Sequence, residues 1–279
     1  MKLSEFDYHL PKNHIAQYPL SERDSSRLMV IRRANGSIEH RVFRDIIDYF
    51  RYGDVFVLND TKVIPARLYG EKSSGGKVEI LLIKELGPDR WEVLVKGLRH
   101  GKVIFKNGAS GYVSRAESSL PTRLAAKRAG QAGRSGNNGA ITLTSDSNIK
   151  KIIEEIGVMP LPPYIKRPAS QSDLSDKSDV RQYQTVYAEQ EGAIAAPTAG
   201  LHLTAGLLGK IKEKGVEVKK LTLHVGYGTF KPVSSPEVEK HKMEEEYYKI
   251  PEDTASAVNR AKSDKRRVIA VGTTVTRAL

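Results

Sequence analysis

Between residues 66 and 105 the sequence runs through four short β-prone stretches, 66–69, 77–84, 90–96 and 102–105, separated by Gly-containing turns. Strands this short bury too little apolar surface singly, so a run of them closes into a small barrel or stacks as a sandwich. Residues 65–147 are therefore expected to form a β module inserted into a chain whose flanks, 1–64 and 148–279, mix strands and helices. In those flanks, 26–31 reads as a strand with a hairpin turn at 34–37. Phe43, Ile46, Ile47 and Phe50 recur at helical spacing, and 54–59 is a short buried strand. Residues 210–215 finish a helix with Gly215 as its cap, 216–225 form a strand, and Pro251 opens a helix running to 261. Residues 267–271 form a last strand that enters Gly272-Thr273-Thr274. The expected class is α+β. Residues 115–140 and 169–179 are polar and read as loops.

The chain has 279 residues, 45 of them Lys or Arg and 33 Asp or Glu, for a net charge of +12. The excess is concentrated: residues 96–172 hold 13 basic and 4 acidic side chains, a net of +9. Such a field attracts polyanions, because neutralised phosphates release counterions. The absence of cysteine excludes disulfides and thiolate metal sites and fits a reducing compartment. No leader is visible at the N-terminus, and no stretch approaches the roughly 20 apolar residues that span a bilayer. A soluble cytoplasmic protein is expected.

Four segments end a strand on polar or small residues. Asn59-Asp60-Thr61-Lys62 follows a buried strand, and polar groups there line a ligand crevice or simply hold a turn through their own backbone. In 195–204, small residues permit close backbone approach, with Thr198, His202 and Thr204 supplying hydroxyls and an imidazole. This segment reads equally as a tight turn before a helix. Residues 223–232 carry two glycines without the Lys-Ser/Thr pair of a nucleotide-triphosphate loop. Gly272-Thr273-Thr274 repeats the theme. The four turns together suggest one mouth built from several strand ends. No metal is expected: His202 and His224 lack zinc-ligand spacing, and His241 with Glu244, Glu245 and Glu246 reads better as an exposed acidic run than as a carboxylate site.

Taken together these segments resemble the S-adenosylmethionine:tRNA ribosyltransferase-isomerase family. The resemblance rests on Phe6-Asp7-Tyr8-His9-Leu10-Pro11, Arg23-Asp24-Ser25-Ser26-Arg27-Leu28, residues 58–67, Gly75-Gly76-Lys77-Val78-Glu79, Tyr183-Gln184-Thr185-Val186-Tyr187-Ala188, and residues 195–204, 223–233 and 271–274. Leu203 stands where the family has Phe, and Glu244 replaces a His. Family members continue beyond the position of Leu279, so a truncated C-terminus is expected. The resemblance implies a larger α/β barrel-like domain, 1–64 with 148–279, interrupted by a smaller inserted β-barrel, 65–147. It implies transfer and isomerisation of the ribosyl moiety of S-adenosylmethionine onto 7-aminomethyl-7-deazaguanine at the tRNA wobble position. The products are epoxyqueuosine-tRNA, adenine and methionine, with S-adenosylmethionine as co-substrate and no cofactor. The implied proton-transfer residue is His202, preferred, or His224, with Asp60 and Glu246 as partners for the sulfonium or the substrate ammonium. Asn59, Lys62, Arg67, Thr198, Thr204, Thr229, Thr273 and Thr274 are implied substrate contacts. Lys127, Arg128 and Arg134 are expected on tRNA. The rival reading is a non-catalytic basic RNA-binding protein derived from that family.

Overall fold

The computed structural model describes residues 1–115, 141–166, 177–226, 228 and 233–279. Lys127, Arg128, Arg134 and Thr229, and the loops expected at 116–140 and 169–176, lie outside the described residues. The chain divides into two compact units, Met1–Ile64 with Met159–Leu279, and Pro65–Val158. Among the described residues no helix is long and apolar enough to cross a membrane.

The larger unit opens with the antiparallel hairpin β1 (Arg27–Arg32) and β2 (Ser37–Val42), turned at Gly36 with φ +67°. Then come β3 (Val55–Asn59) and β4 (Thr61–Val63). The helical spacing at Phe43 is realised as a 3₁₀ helix, Phe43–Tyr49, and not as an α-helix.

In the smaller unit β5 (Arg67–Lys72), β6 (Lys77–Gly87), β7 (Arg90–Lys96), β8 (Gly101–Phe105), β9 (Ser110–Arg115) and β10 (Ile141–Ser145) close an antiparallel barrel in the order β10-β7-β6-β5-β8-β9. Alternate residues face inward, as the two-residue period of a strand requires: Val78, Ile80 and Leu82, then Trp91 and Val93, then Val103 and Phe105. Small residues complete the filling. A Cβ on Gly70 would lie 2.6 Å from the Ile104 carbonyl oxygen, and one on Gly111 2.8 Å from Leu143 Cδ1. Helix α1 (Ile149–Ile156) is capped by Asn148 Oδ1, which accepts from Lys150 N at 2.9 Å, and buries Ile149, Ile152 and Ile153 along one face.

The larger unit resumes with α2 (Lys177–Gln182), β11 (Gln190–Ala193), α3 (Ala205–Glu213), β12 (Glu217–Leu223), β13 (Tyr248–Lys249), α4 (Glu252–Ser263), β14 (Val268–Ala270) and α5 (Gly272–Ala278). The main sheet runs β13-β12-β3-β14, with β12, β3 and β14 parallel. Every residue of β3 is buried, because helices cover both faces and the strand has no solvent side. Val55 and Val57 pack with Ala257, Val258 and Ala261 of α4 and Val275 of α5. Phe56 and Leu58 pack oppositely with Phe43, Leu203, Leu207 and Ile211. Truncating Leu58 to Ala in such a core costs about 2–5 kcal/mol.

Three expectations need correction. The main sheet is open among the described residues, not closed: its outer strands, β13 and β14, are only two and three residues long. Gly272-Thr273-Thr274, expected as a polar turn ahead of a helix, is already the first turn of helix α5. Residues 177–179, expected as the end of a loop, open helix α2.

Candidate active site

Val55 of β3 pairs with Glu217 of β12 and with Val268 of β14, so the three parallel strands start level and deliver their C-terminal ends to one edge. Backbone groups leaving a ladder need new partners, and Asn59 supplies them. Its Nδ2 donates to the Leu223 carbonyl (2.9 Å) and to Thr274 Oγ1 (3.1 Å). Its Oδ1 accepts from the N–H groups of Leu223 (3.0 Å) and Thr61 (3.1 Å). The side-chain amide thus stands in for one more residue of β3 and ties three strand-end turns together. Four bonds use its full donor and acceptor capacity, so Asn59 holds the turns instead of meeting a ligand.

His224, the residue after β12, sits at this junction. Its Nδ1 shares a hydrogen bond of 2.7 Å with the hydroxyl of fully buried Thr61. Its ring stacks on Tyr247, centroids 5.3 Å apart and planes 20° apart. Its backbone N–H donates to the Tyr247 carbonyl at 3.0 Å. The third side is Gly192, where a Cβ would come within 2.9 Å of His224 Nε2. At φ +142° that position also favours glycine on backbone grounds. Burial lowers the His224 pKa, and the negative charge of Asp60 offsets only part of that, so the neutral imidazole is favoured. Asp60 is buried. Its Oδ1 accepts from the Thr222 hydroxyl at 2.7 Å, while Oδ2 has no protein partner among the described residues.

The remaining turn folds onto this edge as the 3₁₀ helix Thr198–His202. A Cβ on Gly272 would meet that of Ala199 at 3.3 Å, which brings the turn against the start of α5. Gly200 has no room for a side chain, since a Cβ would lie 2.0 Å from the Tyr187 hydroxyl oxygen. Arg23 ties the turn to its surroundings by donating to the carbonyls of Leu201, Gln184 and Arg181. The Gln184 amide in turn pairs with both the N–H and the carbonyl of Val63, each at 3.1 Å. These bonds account for the unusual Arg23 and Gln184 motifs.

A profile of the family described as "Queuosine biosynthesis protein" matches residues 3–279. The S-adenosylmethionine:tRNA ribosyltransferase-isomerase of Sulfurihydrogenibium sp. (strain YO3AOP1) is 45% identical over 285 residues, covering 100% of this chain and 77% of the relative. The protein of that name from Halothermothrix orenii is 47% identical over 284 residues, covering 100% and 76%. The chain belongs to the S-adenosylmethionine:tRNA ribosyltransferase-isomerase family of queuosine biosynthesis. It spans about three quarters of the length of these relatives. The crystal structure of the S-adenosylmethionine tRNA ribosyltransferase from Thermotoga maritima is 31% identical, covering 99% of this chain and 71% of that one, with a TM-score of 0.42.

Within this member of the ribosyltransferase-isomerase family, Asn59, Asp60, His224 and Thr274 come together at the sheet edge. His202 is half-buried with its ring 5.1 Å from that of Phe43, on the α3 side of the sheet. Thr204 caps α3 by accepting from Leu207 N at 3.1 Å. Thr198 and Thr273 are exposed on the two turns that meet through Ala199 and Gly272. Lys62 pairs with Glu191 at 2.8 Å on the surface. Arg67 lies on β5 of the other unit, 3.3 Å from Glu79. Glu246 departs from the exposed acidic run. Its side chain is only 6% exposed, accepting from Gly226 N at 3.0 Å and pairing with Arg277 at 2.5 Å. Gly192 and Tyr247, which hold His224, were not singled out by sequence; Thr61 was named only as part of the turn after β3, without a role of its own.

Proposed function

We propose that this chain transfers and isomerises the ribosyl moiety of S-adenosylmethionine onto 7-aminomethyl-7-deazaguanine at the tRNA wobble position, releasing adenine and methionine. The observation that carries the reading is His224, an imidazole pinned by Thr61 near Asp60, a buried carboxylate with only one oxygen engaged among the described residues. The positive sulfonium acidifies the carbon next to it, and a base near neutrality can take that proton. In the tautomer whose Nδ1–H donates to the Thr61 hydroxyl, Nε2 carries the lone pair that takes the proton. Asp60 Oδ2 suits the sulfonium or the substrate ammonium, since a buried carboxylate gains most from a cationic partner. Glu246 is the weaker candidate because Arg277 already compensates its charge. His224 therefore takes the role first expected of His202, whose ring rests against Phe43.

Thr198 and Thr273 offer hydroxyls to ribose or adenine, and Thr229 is read in the same role. Lys62, Arg67, Lys127, Arg128 and Arg134 are read as contacts to the RNA backbone. The chemistry as written calls for S-adenosylmethionine as co-substrate and no further cofactor, in the cytoplasm. The barrel unit is read as an insertion into the larger domain. The test is to incubate the protein with donor carrying a labelled ribose and with tRNA bearing the aminomethyl base. We expect label in tRNA and stoichiometric free adenine. Adenine release without label transfer, or none at all, would refute the reading.

A further inference from the structure

We infer that the outer face of β7, β8, β9 and β10 is a platform that stacks an unpaired nucleobase, with Tyr112 as the stacking side chain. The inference rests on the tRNA reading above and deepens it. Cross-strand register sets Lys102 of β8 opposite Tyr112 of β9, Tyr112 opposite Thr144 of β10, and Thr144 opposite Arg90 of β7. All four are exposed, so the row lies on the outside of the barrel while Val103, Val113 and Leu143 fill its inside. Strands sit about 4.8 Å apart, which makes the row about 14 Å long. That length suits one base with phosphates on both sides. An aromatic ring between two cations is the arrangement single-stranded nucleic acid uses, because every base offers a π-face and every phosphate a charge.

Two further observations favour this occupant. Tyr112 is 46% exposed yet held in place: its hydroxyl shares a 2.9 Å hydrogen bond with His100 Nε2, and the two rings meet edge to face at 5.1 Å. A ring already fixed loses little conformational freedom when a base stacks on it. Charge points the same way. Residues 96–115 contain five Lys or Arg and no Asp or Glu. The acids closest in register are Asp146, whose carboxylate accepts from Ser110 N and Oγ, Glu92 opposite Thr142, Glu71 opposite Ile104, and Asp89 beside Arg90. None faces Tyr112 directly across a strand pair. An acidic peptide would use the cations but has no base to place on the ring.

The experiment compares binding of a stem-loop RNA, a blunt duplex of equal length and poly-glutamate to the full chain at several salt concentrations. We expect the wild type to prefer the stem-loop. Tyr112→Ala should weaken stem-loop binding roughly 5- to 150-fold with its salt slope unchanged. Tyr112→Phe keeps the ring but loses the bond to His100, so it should weaken binding far less than Tyr112→Ala, and Lys102→Ala should flatten the slope by about 0.7. If the wild type binds the stem-loop and Tyr112→Ala binds it equally, the platform is wrong while the tRNA reading stands. If the wild type binds no RNA, both fall. Equal loss of poly-glutamate and stem-loop binding in Tyr112→Ala would also overturn the platform.

Discussion

At the start of β3, Asp54 meets Arg267 through a two-pronged ion pair and also accepts from Arg51 N at 2.7 Å. Arg267 reaches on to the Tyr49 carbonyl at 2.8 Å, and Glu217 bridges Arg260 and Arg266 alongside. At the other end of the same strand, Asn59, Thr61 and Thr274 are joined by neutral hydrogen bonds. There a titratable imidazole and a half-satisfied carboxylate stay available. One edge compensates its charges internally; the other pins its backbone with an amide and keeps its charge for something else. The contrast separates residues that hold the sheet from residues placed to meet a ligand, though both are polar and buried.

The largest effect should come from the open edge. His224→Gln keeps a hydrogen bond to Thr61 but cannot take a proton, so turnover should fall roughly 10²- to 10⁴-fold, with unfolding midpoint little changed. His202→Gln measured alongside should lose far less. Comparable losses from both would return His202 to the chemistry.

Second comes the closed edge. Asp54→Ala leaves Arg267 without its counterion, and breaking a fully buried pair costs about 3–5 kcal/mol. Because the Arg267 side chain is 40% exposed, we expect about 2–3 kcal/mol, read from denaturant midpoints at constant slope. Burial alone would raise the Asp54 pKa. The Arg267 hydrogen bonds, the Arg51 N–H and the arginine charges outweigh it and hold the carboxyl below its ordinary range. The stability is therefore present above about pH 4 and lost as pH falls through the folded value. The gap between wild type and variant should close in strong acid.

Gly192→Ala should cost about 1–3 kcal/mol in backbone strain alone, and its Cβ would press on His224 Nε2. Turnover should therefore drop more than stability, a split that denaturation and rate measurements together resolve. The smallest effect is that of pH on His224. Its folded pKa lies below the unfolded value near 6.5, so between the two the unfolded chain binds more protons and stability rises with pH. The contribution is complete above about pH 6.5 and lost on acidification. His224→Gln should flatten that part of the stability–pH curve, and Asp60→Asn should move it to lower pH.

Much of the barrel was legible because period-two burial leaves a trace in short windows, and β3 because a strand buried on both faces reads as a short apolar run. β7 ends where expected, and β6, β8, β12 and α4 fall within a few residues of expectation. The parallel pair β4 with β11 was not legible: three- and four-residue strands carry no periodicity. The mouth of strand-end turns was readable as a theme. Its wiring was not, because Asn59 with Thr274, Thr61 with His224 and Glu246 with Arg277 are pairings between distant parts of the chain. The small residues around His202 pointed to ligand approach, yet Gly200 is small to admit Tyr187. It was Gly192, thirty-two residues before His224, that made room for the imidazole at the edge.

Calorimetric titration of S-adenosylmethionine into the wild type, Asp54→Asn and Asp60→Asn tests the two-edge account most directly. Wild type and Asp54→Asn should bind the donor alike under conditions where both are folded. Asp60→Asn should bind about 10- to 100-fold more weakly, the weight of one charge-assisted contact. Donor affinity that survives Asp60→Asn and is lost in folded Asp54→Asn would contradict the account.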